Sequence, residues 1–226
     1  MSELYPGWAI TISLEPIIEY NERSGMATST RIAAQELWPF QLPLEKPEKL
    51  AEILFRYENS PGRDIISGAQ DAIGICVPGL TRHYYNGRYW PKKIEKIYDE
   101  EILKWLEDKI YMVTLWPRPD GLDLSKNTKI NRENIKKLAD ASENCWNAIM
   151  KKDYFNFPKY FLASFEAQST IFPEMLNPEI NEVIDQYRNT ASAWKLSGAG
   201  GGGYLILISD QPVQNAMKLK IRRNID

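Results

Sequence analysis

The chain has 226 residues, 43% hydrophobic and 12% aromatic, enough for one compact domain or two small lobes and too apolar for a disordered tail. Its net charge is −2 with Lys and Arg spread along the chain, so neither a nucleic-acid stripe nor a polybasic membrane patch is expected. No signal peptide is visible, no apolar run approaches the roughly 20 residues that span a bilayer, and Cys76 and Cys145, outside any CxxC pair, read as buried thiols of a reducing compartment, so a cytoplasmic protein is expected.

Residues 9–18, rich in Ile, Thr and Leu, read as a strand, and a helix begins near Ser29 with Ile32, Ala33 and Leu37 on one face, ended by Pro39 and Pro43. A second helix over about 48–57 places Leu50, Ile53, Leu54 and Tyr57 at helical spacing. Asn59-Ser60-Pro61-Gly62 is a turn, residues 68–79 are rich in small side chains, and residues 84–90 around Asn86-Gly87 read as a hairpin. Residues 110–116 form a buried strand stopped by Pro117, Pro119 and Gly121. Asn131 caps the next helix, whose core face is Ile135, Leu138, Cys145, Trp146 and Ile149. Phe157, Phe161, Phe165 and Phe172 mark another, ended by Pro173, and Asn177-Pro178 opens a third that runs through Tyr187. Residues 192–197 and 204–209 read as two strands around a glycine loop. A last helix is expected from Pro212, with Lys218, Lys220, Arg222 and Arg223 on its wet face. Strands alternating with helices, then a helix-rich stretch and a closing hairpin, make an α+β pattern.

Three signals carry chemistry. The strongest is Ser197-Gly198-Ala199-Gly200-Gly201-Gly202-Gly203, which joins two apolar runs directly, unlike a flexible linker; a backbone without Cβ atoms can approach an anion or a crowded neighbour. The second is Ser24-Gly25-Met26-Ala27-Thr28-Ser29-Thr30 at the mouth of a helix, where N–H groups and the dipole favour phosphate and hydroxyls can ligate Mg²⁺. Ser and Thr also serve as ordinary helix caps, so this signal is weak alone. The third is Asp71 in Gly68-Ala69-Gln70-Asp71, read as a glycine-bounded turn, with Glu58 upstream: one carboxylate to accept a hydroxyl proton, one to hold a metal. The single histidine, His83, cannot build a histidine-rich metal site.

Together the three resemble the GHMP small-molecule kinases. Galactokinase, homoserine kinase, mevalonate kinase and phosphomevalonate kinase share a Gly-Leu-Gly-Ser-Ser phosphate loop and a late glycine-rich motif. Residues Gly25 to Thr30 are similar to the first and Leu196 to Gly203 to the second. Fucokinases look closest, with a Gly-Thr-Ser-Ser loop, a Trp-Gln-Asp and a following Pro-Gly; here Thr28-Ser29-Thr30, Gln70-Asp71 and Pro78-Gly79 stand in that order. The resemblance runs from about Ser24 to the end. Ala27 departs from it, standing where glycine is usual, and Tyr5-Pro6-Gly7-Trp8-Ala9 resembles the strand that follows the family's first motif.

What the resemblance implies is a two-lobed GHMP kinase-like fold: a shortened S5-like N-terminal lobe over residues 1–108 and a ferredoxin-like C-terminal lobe over 109–226, with the site between them. It implies an ATP- and Mg²⁺-dependent sugar kinase phosphorylating the anomeric hydroxyl of fucose or a related sugar. ATP would be contacted by Ser24, Gly25, Met26, Ala27, Thr28, Ser29 and Thr30 and by Gly198, Ala199, Gly200 and Gly201. Mg²⁺ would be held by Ser29 and Glu58, and Asp71 would be the catalytic base. Its partners would be ATP and a small sugar, with no nucleic acid and no membrane. A heptose-phosphate kinase, whose relatives share the Gln-Asp signature, and a non-catalytic kinase-like module without the first motif are the alternatives.

Overall fold

The computed structural model describes residues 8–12, 27–63 and 66–223. They divide into two compact units, one of residues 8–12, 27–103 and 220–223, the other of residues 104–219. Ser24, Gly25 and Met26 lie outside the described residues.

The first unit is an antiparallel sheet with three helices. Strands β1 (Trp8–Ile12), β2 (Leu80–Tyr84) and β3 (Lys93–Ile97) lie in that order, with Ala9 opposite His83 and His83 opposite Ile94. The turn at Asn86-Gly87 therefore joins two paired strands, as its composition indicates. Helices α1 (Thr28–Leu37), α2 (Pro47–Glu58) and α3 (Ala69–Cys76) pack on one another. Their core is Ala33, Leu50, Ala51, Leu54, Ala69, Ala72, Ile73, Cys76 and neighbours, with Trp38, Phe55, Trp90 and Ile94 against it. The stripe Leu50, Leu54, Glu58 has the four-residue step of one helix face, so the spacing that buries two leucines also carries a carboxylate inward.

His83 is fully buried on β2, its Nε2 2.9 Å from Thr81 Oγ1 and its Nδ1 without a hydrogen-bond partner. Burial holds the imidazole down to about 4, against 6.5 in the open chain. The unfolded chain therefore takes up a proton that the native state refuses. The stability this provides is intact above pH 6.5 and falls as pH drops toward 4, by about 3 kcal/mol. Chemical-denaturation midpoints at neutral pH and near pH 4.5 should differ less in His83→Gln than in the wild type; equal differences would remove His83 as the cause.

The second unit holds a four-stranded antiparallel sheet in the order β5 (Ala193–Leu196), β6 (Tyr204–Ile208), β4 (Ile110–Thr114) and β7 (Met217–Lys218). Helices α5 (Arg132–Met150), α6 (Asn156–Ile171) and α7 (Pro178–Tyr187) accompany it, α5 packing along α6 and α6 on β5. Asn131 Oδ1 accepts from the Asn134 amide at 2.9 Å and Asn177 Oδ1 from the Ile180 amide at 2.8 Å, the two helix starts expected from these asparagines. Tyr111 and Val113 face Phe165, Ile180, Ile184, Leu205 and Leu207 in the core. Cys76 and Cys145 are both buried and free, and burial pushes each thiol up to about 12, which leaves them unreactive.

Three expectations need correction. No helix follows Pro212. Residues 217–222, Met-Lys-Leu-Lys-Ile-Arg, alternate apolar and basic; β7 pairs Met217 with Met112 and Lys218 with Tyr111, while Leu219 and Ile221 turn inward. The basic cluster is also not a bare wet face, because Lys218 pairs with Asp108 at 2.8 Å and Arg223 reaches both oxygens of Glu100 at 2.7 and 3.0 Å. Second, α4 (Glu100–Glu107) was not anticipated, although Asp99 Oδ1 accepts from the Glu101 and Ile102 amides and Leu103 and Leu106 are buried. Third, Asp71 stands in the first turn of α3 and not in a turn between glycines. Among the described residues no helix is long and apolar enough to cross a membrane.

Candidate functional site

Three residues the sequence singled out, Thr30, Glu58 and Asp71, come together in the first unit, with Thr30 and not Ser29 on the carboxylate. Ala27 precedes α1 with φ 56° and ψ 38°, the left-handed conformation that glycine adopts freely and that costs an alanine about 1–2 kcal/mol. A glycine at this position would adopt the same backbone without that cost. Ser29, expected on the metal, is exposed. Thr30, next in the first turn, is buried, and its Oγ1 donates to Glu58 Oε1 at 2.8 Å.

Glu58 is 8% exposed at the end of α2. Burial raises its pKa above the ordinary value; the Thr30 hydroxyl and Arg63 oppose this, and the nearby Asp71 charge adds to it. Asp71 itself is exposed, in the first turn of α3 where the helix dipole favours a carboxylate. Asn59 sets the spacing. Its Nδ2 donates to Phe55 O at 2.8 Å, closing α2, and its Oδ1 accepts from the Ser67 amide at 2.7 Å, tying the approach to α3 against the end of α2. A carboxylate on one helix, a carboxylate on the next and a hydroxyl on a third are thereby gathered at one end of the three-helix packing.

Two carboxylates close enough to repel, one of them bonded to a hydroxyl, form an oxygen-only donor set. Among the described residues no group of three or more His, Cys, Asp or Glu side chains could enclose a metal by itself. That composition fits Mg²⁺, which takes one or two carboxylates and completes its shell with phosphates and water. Removing the Thr30 hydroxyl leaves a buried carboxylate short of a donor. Thr30→Val should therefore destabilise the protein by about 1–3 kcal/mol, read as a lowered urea midpoint, while an unchanged midpoint would mean that the bond contributes nothing.

In the second unit the glycine loop connects β5 to β6 and is folded into its own support. Gly201 N–H donates to Met175 O and Gly203 N–H to Trp116 O, both at 2.8 Å, and Arg118 Nε donates to Gly200 O at 2.8 Å. Gly200 and Gly201 are buried, while Gly198 is exposed and Ala199 partly so. A Cβ at Gly202 would stand 2.6 Å from Trp116 O. Most of the glycines thus serve close backbone approach within the protein, and Ser197 to Ala199 is the part that offers surface.

Asn59 is the residue the sequence did not single out, and Thr30, expected on the nucleotide, is the hydroxyl bonded to Glu58. Glu58 follows Leu54 by the same four-residue step that buries Leu50 and Leu54, which is why it lies inward.

Comparison with known proteins agrees with this architecture. Residues 130–226 match the family model for the GHMP kinases C terminal. The fold is GHMP kinase-like. A Campylobacter jejuni protein assigned as a sugar kinase superposes with a TM-score of 0.61 at 15% identity, over 90% of this chain and 63% of its own. A D-glycero-D-manno-heptose 1-phosphate kinase from Bacteroides thetaiotaomicron superposes at 0.54 and 12% identity, over 97% of this chain and 89% of its own. Lactococcus lactis galactokinase, solved with galactose, superposes at 0.54 and 16% identity, over 85% and 60%. The chain therefore spans less than two thirds of the first and third of these structures. No curated protein sequence matches it.

Proposed function

We propose that the protein is an ATP-dependent kinase of the GHMP type that transfers the γ-phosphate to a sugar hydroxyl, the anomeric hydroxyl of fucose or a related sugar. The observation that carries this reading is the buried Thr30–Glu58 hydrogen bond with Asp71 beside it. A hydroxyl at a helix start, a metal carboxylate and a second carboxylate are the parts phosphoryl transfer needs, and the resemblance of the sequence named all three residues, Thr30 as a nucleotide contact.

Mg²⁺, when bound, supplies positive charge that neutralises the phosphate oxygens. Thr30 and Glu58 would hold it, Thr30 taking the part first given to Ser29. The helix-start segment, Ser24 to Ser29, would present backbone N–H groups and hydroxyls to the phosphates. Gly198 and Ala199, with Gly200 and Gly201 as their support, are proposed as the second nucleotide contact. Asp71, exposed and so reachable by substrate, would orient the attacking hydroxyl and take its proton on a carboxylate oxygen. The lobes are proposed to run over residues 1–108 and 109–226.

The test is ADP release from Mg·ATP across a panel of sugars that includes fucose, galactose and a heptose 1-phosphate. Sugar-dependent release supports the proposal. Heptose 1-phosphate belongs in the panel because the chain spans most of the length of that kinase. Release with none of them, and no shift in melting temperature with Mg·ATP, would favour a non-catalytic module.

A further inference from the structure

Helix α2 presents two different faces. At 100° per residue, Leu50, Ala51, Leu54 and Glu58 lie on one side, while Glu48, Lys49, Glu52, Phe55 and Arg56 centre about 150° away. Over that second face the chain following β2 folds back and leaves a hollow of about 500 Å³, walled by Phe55, Arg56, Arg88, Trp90 and Lys92. A second hollow of about 420 Å³ continues past Trp90, lined by Lys46, Lys49, Lys92, Lys93 and Ile94. Trp90, Pro91, Lys92 and Glu52 line both.

The chemistry of the two hollows is segregated. The first has an aromatic wall, Phe55 against Trp90 with ring centroids 5.4 Å apart. Around both hollows stand six cations, Lys46, Lys49, Arg56, Arg88, Lys92 and Lys93, and two acids, Glu48 and Glu52. The acids are already engaged: Glu52 with Arg56 at 2.5 Å and Lys49 at 4.0 Å, and Glu48 with Lys96. Among the described residues Arg88, Lys92 and Lys93 have no acidic partner, and Lys93 lies over the Tyr84 ring at 5.2 Å. An excess of four positive charges thus surrounds one indole, in a chain whose net charge is −2.

We propose that this face of α2 is a second ligand site, one that takes a nucleotide, with the base against the Phe55–Trp90 wall and the phosphates on Lys46, Lys92 and Lys93. The size is right for a small molecule, within the range of about 300–1,000 Å³ of ordinary ligand pockets. The aromatic wall favours a flat ring over an acidic peptide, and the adjoining lysine-lined hollow favours phosphates over a single carboxylate. Because the face is turned away from Glu58, the site is separate from the Thr30, Glu58 and Asp71 cluster and does not depend on the kinase reading.

Calorimetric titration of GDP into the full chain in EDTA tests this. EDTA suppresses a site that needs Mg²⁺. Saturable binding of one GDP below about 1 mM is expected, weakened by added salt. The exposed double charge reversal Arg88→Glu/Lys92→Glu should weaken it at least about tenfold, whereas Glu58→Gln, expected to weaken Mg·ATP at the other site, should not weaken GDP. No saturation by about 5 mM, equal affinity in the double variant, or tighter binding of a glutamate-rich peptide than of GDP would each overturn the proposal.

Discussion

Asp71→Asn is expected to lower kcat for sugar phosphorylation by about 10²–10⁴-fold, the usual contribution of a positioned general base. The substitution is close to isosteric and sits at an exposed position in the first turn of α3, so the fold has no reason to fail. It removes the charge that helps raise the Glu58 pKa, so the Glu58 carboxylate should ionise somewhat more readily in the variant. Nucleotide affinity should accordingly be kept, with KM for ATP within a few-fold of wild type, and the loss should fall on kcat and kcat/KM alike. A rise in KM with unchanged kcat would assign Asp71 to binding. Full turnover would remove it from the chemistry.

Gly202→Ala is expected to be the most damaging small substitution in the second unit. Gly202 has φ +150°, and a Cβ there would lie 2.6 Å from Trp116 O and 3.2 Å from Arg118 N, main-chain atoms that cannot swing aside. The neighbouring bonds, Gly203 N–H to Trp116 O and Leu115 N–H to Gly203 O, both 2.8 Å, would have to open. Strain together with lost pairing is about 3–5 kcal/mol, a fall in melting temperature of about 10 °C for a chain of this size. Gly121→Ala is the control: φ is +76° but nothing lies within 4 Å, so only the conformational penalty of about 1 kcal/mol applies. Similar losses in the two variants would show that the loop does not depend on close approach to Trp116.

Much of this architecture is legible in the chain because local signals and tertiary packing agree. Asn131 and Asn177-Pro178 cap the helices they announce, residues 110–116 cover a central strand, and the glycines lie between two paired strands. The failures occur where period and composition disagree. Basic residues between Met217 and Arg223 suggested a solvated helix, yet their alternation with Leu219 and Ile221 is that of a strand completing the edge of β4. At the site, Glu58 was named as a metal carboxylate, while its burial on the stripe of Leu50 and Leu54 lay beyond the expected helix end at about 57. Its partner was named only as one of the neighbouring hydroxyls, because whether Ser29 or Thr30 turns inward depends on how α1 is rotated against α2. That rotation is set by packing around Ala33, Leu50 and Leu54 and by no residue of the Thr-Ser-Thr run itself.

The most direct test of the account is calorimetric titration of Mg·ATP into the wild type and Glu58→Gln, a neutral isostere that can keep the bond from Thr30. The wild type should bind saturably, lose that binding when Mg²⁺ is withheld, and weaken at least about tenfold on substitution. Equal Mg²⁺-dependent affinity in the two proteins, or no saturable binding by the wild type, would contradict a metal–nucleotide site at Thr30 and Glu58.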